Sequence, residues 1–173
     1  MQAEDAIVAD KAHGGPRPLY TLEQRRRRDA TRWTTIQGVL APVQFLIFLV
    51  SLALVLRYLS TGDGVTAATV SIVIKTVALY AIMITGSIWE KVVFDRWLFA
   101  PAFFWEDVFS MLVLALHSAY LVALAGDLGT ERGRMLLALA AYAAYAINAA
   151  QFLLKLRAAR MQSEPAGRLA VAG

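Results

Sequence analysis

No cysteine occurs anywhere in the chain, which removes disulfides, thiolate metal sites and a cysteine nucleophile together. Histidine is nearly as scarce. Of the two present, His13 lies in a polar N-terminal stretch and only His117 lies in an apolar run, so a protein-bound metal centre is not expected. Charge is thin as well: 17% of the residues are charged, against about 25% in a soluble domain. A phosphate-cradling glycine loop, an HExxH pair and a haem-attachment motif are all missing, so nucleotide, zinc-hydrolase and c-type haem chemistry have no footing. Met1 to Gly15 carries Glu4, Asp5 and Asp10 and has no apolar core, so it does not read as a signal peptide.

What the chain has in quantity is hydrocarbon. It is 58% hydrophobic, and its mean hydropathy is +0.54. The apolar residues are gathered into four runs of membrane-spanning length, at about 36–56, 65–88, 103–125 and 135–154. The expected fold is all-α: a polytopic membrane protein with four transmembrane helices in a bundle. Residues 1–19 read as a disordered tail, 20–161 as the transmembrane domain and 162–173 as a second tail. Thr21 is placed to cap a short helix ahead of the first span, and Pro42 and Gln44 interrupt the first half of that span. Thirteen of the seventeen Lys and Arg residues fall in the two end segments and the central connection. The positive-inside rule then puts both termini and that connection in the cytoplasm. Arg25 to Arg28 read as part of this topology signal, facing anionic lipid, and no nucleic-acid partner is expected.

The central connection is the densest mixture of chemistry and flat apolar surface. Trp89 to Asp107, WEKVVFDRWLFAPAFFWED, holds seven aromatics and four carboxylates in nineteen residues. Glu106 and Asp107 open the third span. They suit a helix N-terminus as caps, and equally a carboxylic acid at the apolar–water boundary, where desolvation favours the protonated form. Trp89, Trp97, Phe104 and Trp105 belong either to a membrane-interface belt or to a platform for a planar ligand. Glu90 lies just before them.

Inside the spans, Lys75 is near mid-membrane, where a charge costs about 2.5–3.5 kcal/mol and needs a partner. Glu106, Ser110 and His117 fall on one helical stripe, with roughly 16 Å of helix rise between the first and the last. His117 is either a hydrogen-bonded interior histidine, a proton relay or an axial ligand to the metal of a tetrapyrrole. Asn148 and Gln151 share a face at the cytoplasmic end of the fourth span. They serve either interhelical hydrogen bonds or a cavity lining.

Three stretches resemble one known family. They are RWTTIQGVLAPVQFLIFLVSLALVLRYL, KTVALYAIMITGSIWEKVVFDRWLFAPAFFWEDVFSMLVLALHSAYL and ALAAYAAYAINAAQFLLKLR. Together they are similar to the 3-vinyl bacteriochlorophyllide hydratases of bacteriochlorophyll a synthesis, over roughly Tyr20 to Met161. The resemblance implies that water adds across the C3-vinyl group of chlorophyllide a or 3-vinyl bacteriochlorophyllide, giving a 1-hydroxyethyl group. It implies no cofactor, the magnesium being part of the substrate. It also implies residence in the bacterial inner (intracytoplasmic) membrane, contact with membrane lipid, and contact with other pigment-synthesis enzymes.

In that chemistry Glu106 is the expected proton donor, with Asp107 or Glu90 orienting the water and His117 ligating the substrate magnesium or relaying protons. Trp97, Phe104 and Trp105 would stack on the ring, and Trp89, Lys75, Asn148 and Gln151 would contact the substrate. The competing class is a non-enzymatic membrane pigment carrier or an assembly factor for a photosynthetic complex.

Overall fold

A computed structural model describes residues 19–171, with side chains to residue 157. Of the tail expected at 1–19, residues 1–18 lie outside the described residues. Among the described residues, five helices follow one another: α1 (Leu22–Ala30), α2 (Arg32–Thr61), α3 (Val65–Phe94), α4 (Phe104–Ala125) and α5 (Glu131–Val171). Four of them, α2 to α5, are long and apolar enough to cross a membrane, so the all-helical four-span reading holds. Most helices outrun their hydrophobic stretches. Charged and aromatic residues at the ends of a span still make backbone hydrogen bonds, and their heads reach the interface. The backbone of α5 runs on through 162–171, which the sequence sets apart as a tail.

The short helix ahead of the first span is present. Thr21 closes a reciprocal capping box with Gln24, its backbone N–H donating to Gln24 Oε1 at 2.9 Å while Gln24 N–H donates to Thr21 Oγ1 at 3.2 Å. Helix α2 passes through Pro42 unbroken, on a lipid-facing side where only the bond to the Gly38 carbonyl is forfeited. The turn to α3 needs two left-handed residues, and both are glycines, Gly62 (φ 81°) and Gly64 (φ 86°).

The spans form two antiparallel hairpins, α2/α3 and α4/α5. Each hairpin is packed along its length, and the hairpins meet each other over a shorter seam, α2 against α5 and α3 against α4. The polarity is inverted relative to a soluble bundle. Leu46, Val50, Ile84, Val122 and Leu153 lie on the outside, while Ser51, Lys75, Thr76 and His117 are buried at no more than 1% exposure. In lipid the hydrophobic effect does not drive helices together, so packing and interhelical hydrogen bonds must do so, at about 0.6 kcal/mol for an average bond. They are supplied at intervals. Gln37 donates to Thr85 (2.7 Å) and the Trp89 indole to Thr34 (2.9 Å) within the first hairpin. Across the seam, Ser51 meets Tyr142 (2.5 Å) and Tyr80 meets Ser118 (2.7 Å).

A second cluster sits at the end of the bundle where α1 enters. Tyr20, Trp89, Phe94 and Phe152 surround Phe103, whose ring centre lies 5.8–6.3 Å from theirs. It ties α1, α3, α4 and α5 together. Phe103→Ala is expected to lower stability by about 3 kcal/mol through the cavity it leaves. A lowered thermal midpoint of the detergent-solubilised protein would show it, and an unchanged midpoint would mean that the cluster is not structural.

Candidate active site

The two carboxyl-bearing helix ends are brought together by their connection. Glu90 lies one turn before α3 ends, and Glu106 and Asp107 lie in the first turn of α4. Between them Asp95 caps α3 in a left-handed conformation (φ 60°), with Lys91 Nζ donating to its carboxylate at 2.7 Å. That hydrogen bond and the ammonium charge hold the exposed Asp95 below the usual carboxylate range. Phe99 is also left-handed (φ 58°), an unfavourable state for a bulky side chain. The strain has a visible use. Two consecutive N–H groups diverge, Phe99 N–H donating to Asp107 Oδ2 at 2.8 Å and Ala100 N–H to Glu90 Oε2 at 3.2 Å.

Glu90 and Asp107 are thereby held close to each other, and both are buried, with 4–5% exposure. Two adjoining buried carboxyls disfavour double ionisation. The arrangement fastens the loop across the ends of α3 and α4 and sets two carboxyls side by side beneath it.

Glu106 has a charged partner of its own. It faces the bundle, and Lys155 of α5 donates to its Oε2 at 2.6 Å, the same ammonium lying 5.0 Å from the centre of the Phe103 ring. An ion-paired carboxylate is a poorer proton donor than one without a counter-charge. Further along the stripe, Asn148 Nδ2 donates to Ser110 Oγ at 2.8 Å. His117 Nδ1 lies 2.8 Å from the Val113 carbonyl, which can only accept, so Nδ1 carries the proton and Nε2 presents a lone pair. Glu106, Ser110 and His117 are all buried, as their shared stripe predicts.

Lys75 is fully buried, and its ammonium lies 3.8 Å from the centre of the Tyr145 ring. Neither its Nζ nor His117 Nε2 has a hydrogen-bond partner among the described residues; Gln44 Nε2, Asn148 Oδ1 and Gln151 Oε1 share that condition. The aromatics of the central stretch split into two sets. Trp89 joins the interior cluster, its indole N–H held by Thr34. Trp97, Phe99, Phe104 and Trp105 are exposed. Phe104 stands at 84° to Trp105 and 53° to Phe99, so these exposed rings do not form a flat stack as they stand. A cavity of about 230 Å³ lies at the other end of the bundle, between Val65, Thr69, Leu124, Glu131, Arg134 and Met135, far from the carboxyl pair.

Lys155 and the loop backbone at Phe99 and Ala100 are the components that residue typing passes over. Lys155 was legible in principle, since Asn148, Gln151 and Lys155 recur at i, i+3 and i+7 and so share one helix face. Nothing in the sequence marks a backbone N–H.

A family model described as 2-vinyl bacteriochlorophyllide hydratase matches residues 20–158. The chain belongs to this family. A 2-vinyl bacteriochlorophyllide hydratase of Cereibacter sphaeroides is 66% identical over 151 residues, covering 87% of this chain and 93% of the relative. One of Rhodobacter capsulatus is 64% identical over 154 residues, covering 87% and 89%. No solved structure matches. The family description differs from the sequence resemblance only in the number given to the vinyl position. The stretch matched to the 2-vinyl bacteriochlorophyllide hydratases includes Glu90, Asp107, Glu106, Lys155, Lys75 and His117, hence every buried ionisable group described above.

The Glu106–Lys155 pair joins a buried carboxylate to a half-buried ammonium and is expected to behave like a buried ion pair on the carboxylate side. Lys155→Met alone strands a buried carboxylate and costs several kcal/mol, whereas Lys155→Met with Glu106→Gln costs less than the single change. Thermal unfolding of the three variants tests this, and additive losses would mean that the two charges do not interact.

Proposed function

We propose that the chain is a membrane-embedded hydratase that adds water across the vinyl group of a bacteriochlorophyllide or chlorophyllide, giving the 1-hydroxyethyl pigment. Two relatives at 64–66% identity bear that activity in their names. The observation that carries the mechanism is the buried pair Glu90 and Asp107, held on adjacent loop N–H groups; adjoining buried carboxyls disfavour double ionisation, so in this reading the resting pair holds one proton.

An isolated vinyl group is a poor electrophile, so addition begins with a proton. Transfer from the carboxyl pair to the terminal vinyl carbon leaves a cation on the carbon next to the ring, where the conjugated macrocycle delocalises it. Both members of the pair are then carboxylates. Water attacks the cationic carbon, and one carboxylate takes the proton that the water must lose. One proton leaves the pair and one returns, so the site resets with no redox change and no external acid. The chemistry asks for no cofactor, and the magnesium enters and leaves with the pigment. Glu106, tied to Lys155, sets the charge beside the pair rather than giving the proton. Trp97, Phe104 and Trp105 form the apolar rim over which a pigment passes between lipid and protein, and Asn148 and Gln151 line the end of the bundle beneath it.

His117 as an axial ligand to the substrate magnesium competes with this placement. Roughly 16 Å of helix rise separates it from Glu106, more than the half-width of the macrocycle, so a ring centred on His117 leaves its vinyl group short of the carboxyl pair. The positive-inside count supports an orientation with both termini and the 95–103 connection in the cytoplasm, and the family of the relatives supports a bacterial inner membrane.

The decisive experiment supplies the full chain, in lipid vesicles, with 3-vinyl bacteriochlorophyllide. A mass gain of one water with a blue-shifted red absorption band is expected. Pigment bound but unaltered, with chlorophyllide a also unaltered, would favour a carrier. Glu90→Gln and Asp107→Asn should each lower kcat by about 10²–10⁴-fold with pigment still bound, and Glu106→Gln should lower it far less; the reverse order would return the acid's role to Glu106. The absence of native cysteine makes topology simple to read. A cysteine placed at Asp63 should react with a membrane-impermeant maleimide from outside intact cells, and one at Arg96 only after lysis. The opposite pattern would invert the orientation.

A further inference from the structure

We propose that the seam between the two hairpins is the slot for the pigment, and that Lys75 is the receptor for the carboxylate of its unesterified side arm. The identity of the ligand rests on the hydratase reading above; the existence of the site rests on the bundle itself.

The first observation is the polar accounting. Glu106–Lys155 and Asn148–Ser110 join α4 to α5, and Gln37–Thr85 and Trp89–Thr34 join α2 to α3, so these hydrogen bonds stay within their own hairpins. Lys75 Nζ and His117 Nε2 are not satisfied among the described residues, although the two residues are 0% and 1% exposed. They come from opposite hairpins, Lys75 from α3 and His117 from α4. Both are set against α5, Lys75 over the ring of Tyr145 and His117 with its ring centre 5.7 Å from that of Tyr142. An ammonium held in a hydrocarbon interior by one aromatic face has two or three N–H donors left over, and an anionic acceptor answers them.

The second observation is where this lies relative to the carboxyl pair. Tyr145 precedes Lys155 by ten residues on α5, which is roughly 15 Å of helix rise. Lys155 marks the level of Glu106, next to Asp107. A chlorophyllide is by definition the free acid, and its carboxylate arm is carried on the ring next to the vinyl-bearing one and points away from the vinyl group, so the two lie at opposite ends of that side of the macrocycle. A pigment whose carboxylate meets Lys75 therefore extends along the bundle toward the Glu90–Asp107 pair. The rings of Phe48, Tyr142 and Tyr145, now packed on one another, are the faces that would receive it. Entry by parting the hairpins leaves the helix pairings within each hairpin intact, because the seam is the less extensively packed of the interfaces.

The site predicts selectivity for the acid over its ester. The full chain in lipid vesicles is given 3-vinyl bacteriochlorophyllide and, separately, its methyl ester, with binding followed by pigment fluorescence and turnover by mass. The wild type is expected to bind and convert the acid at least tenfold better than the ester. Lys75→Met should lose on the order of a hundredfold in kcat/KM on the acid and change little on the ester, with Lys75→Arg recovering part of the loss. Equal use of acid and ester by the wild type, or equal damage to both in Lys75→Met, would overturn the proposal and leave Lys75 as a structural cation on Tyr145. Tighter binding of the acid with neither pigment converted would sustain the site and sink the hydratase reading.

Discussion

A hydrocarbon solvent cannot hold a charge, and most of this structure follows from that constraint. With lipid on the outside, each ionisable group in the spans must turn inward and find whatever the other helices offer. Glu106 finds Lys155. Glu90 and Asp107 find each other and two backbone N–H groups. Lys75 finds the face of Tyr145 and nothing more. The bundle is thus graded, from fully answered charges at the loop end to an unanswered ammonium at its middle. The places where the answer is incomplete are the places with capacity for a ligand.

The grip on the central loop shows how structure and chemistry share the same atoms. Each carboxyl commits one oxygen to a loop N–H, Oε2 of Glu90 and Oδ2 of Asp107. Fixing the loop therefore also fixes the two carboxyls, and the left-handed Phe99 is the backbone state in which both bonds form.

Much of the fold was legible because membranes simplify the problem. Run length announces a span, Thr21 with Gln24 announces a capping box, and the turn glycines at 62 and 64 lie where left-handed backbone is required. The shared stripe of Glu106, Ser110 and His117 was equally readable, since it depends only on helical period. What period cannot supply is the neighbour. Glu106 and Asp107 are adjacent in the chain but about 100° apart around α4, so one meets α5 and the other α3. That rotation decides which is ion-paired to Lys155 and which is held by a loop N–H beside Glu90. The aromatics divided in the same way: Phe103 and Phe104 are neighbours, one at the heart of a cluster and the other exposed. The ends of the helices were underestimated because hydropathy falls where charged residues begin, whereas backbone hydrogen bonding does not.

The division into two hairpins bears on how the protein is made. The first hairpin leaves the ribosome with Gln37, Thr34 and Ser51 already able to bond to α3, but with Lys75 unaccompanied in the bilayer. Tyr142, Tyr145 and His117 arrive only with the second hairpin. During synthesis the lone ammonium is a liability that the later helices relieve. Docking of the two halves then draws its drive from the polar groups the first half could not satisfy, more than from any apolar surface. The feature that makes the mature bundle receptive at its centre is the same one that makes its halves seek each other.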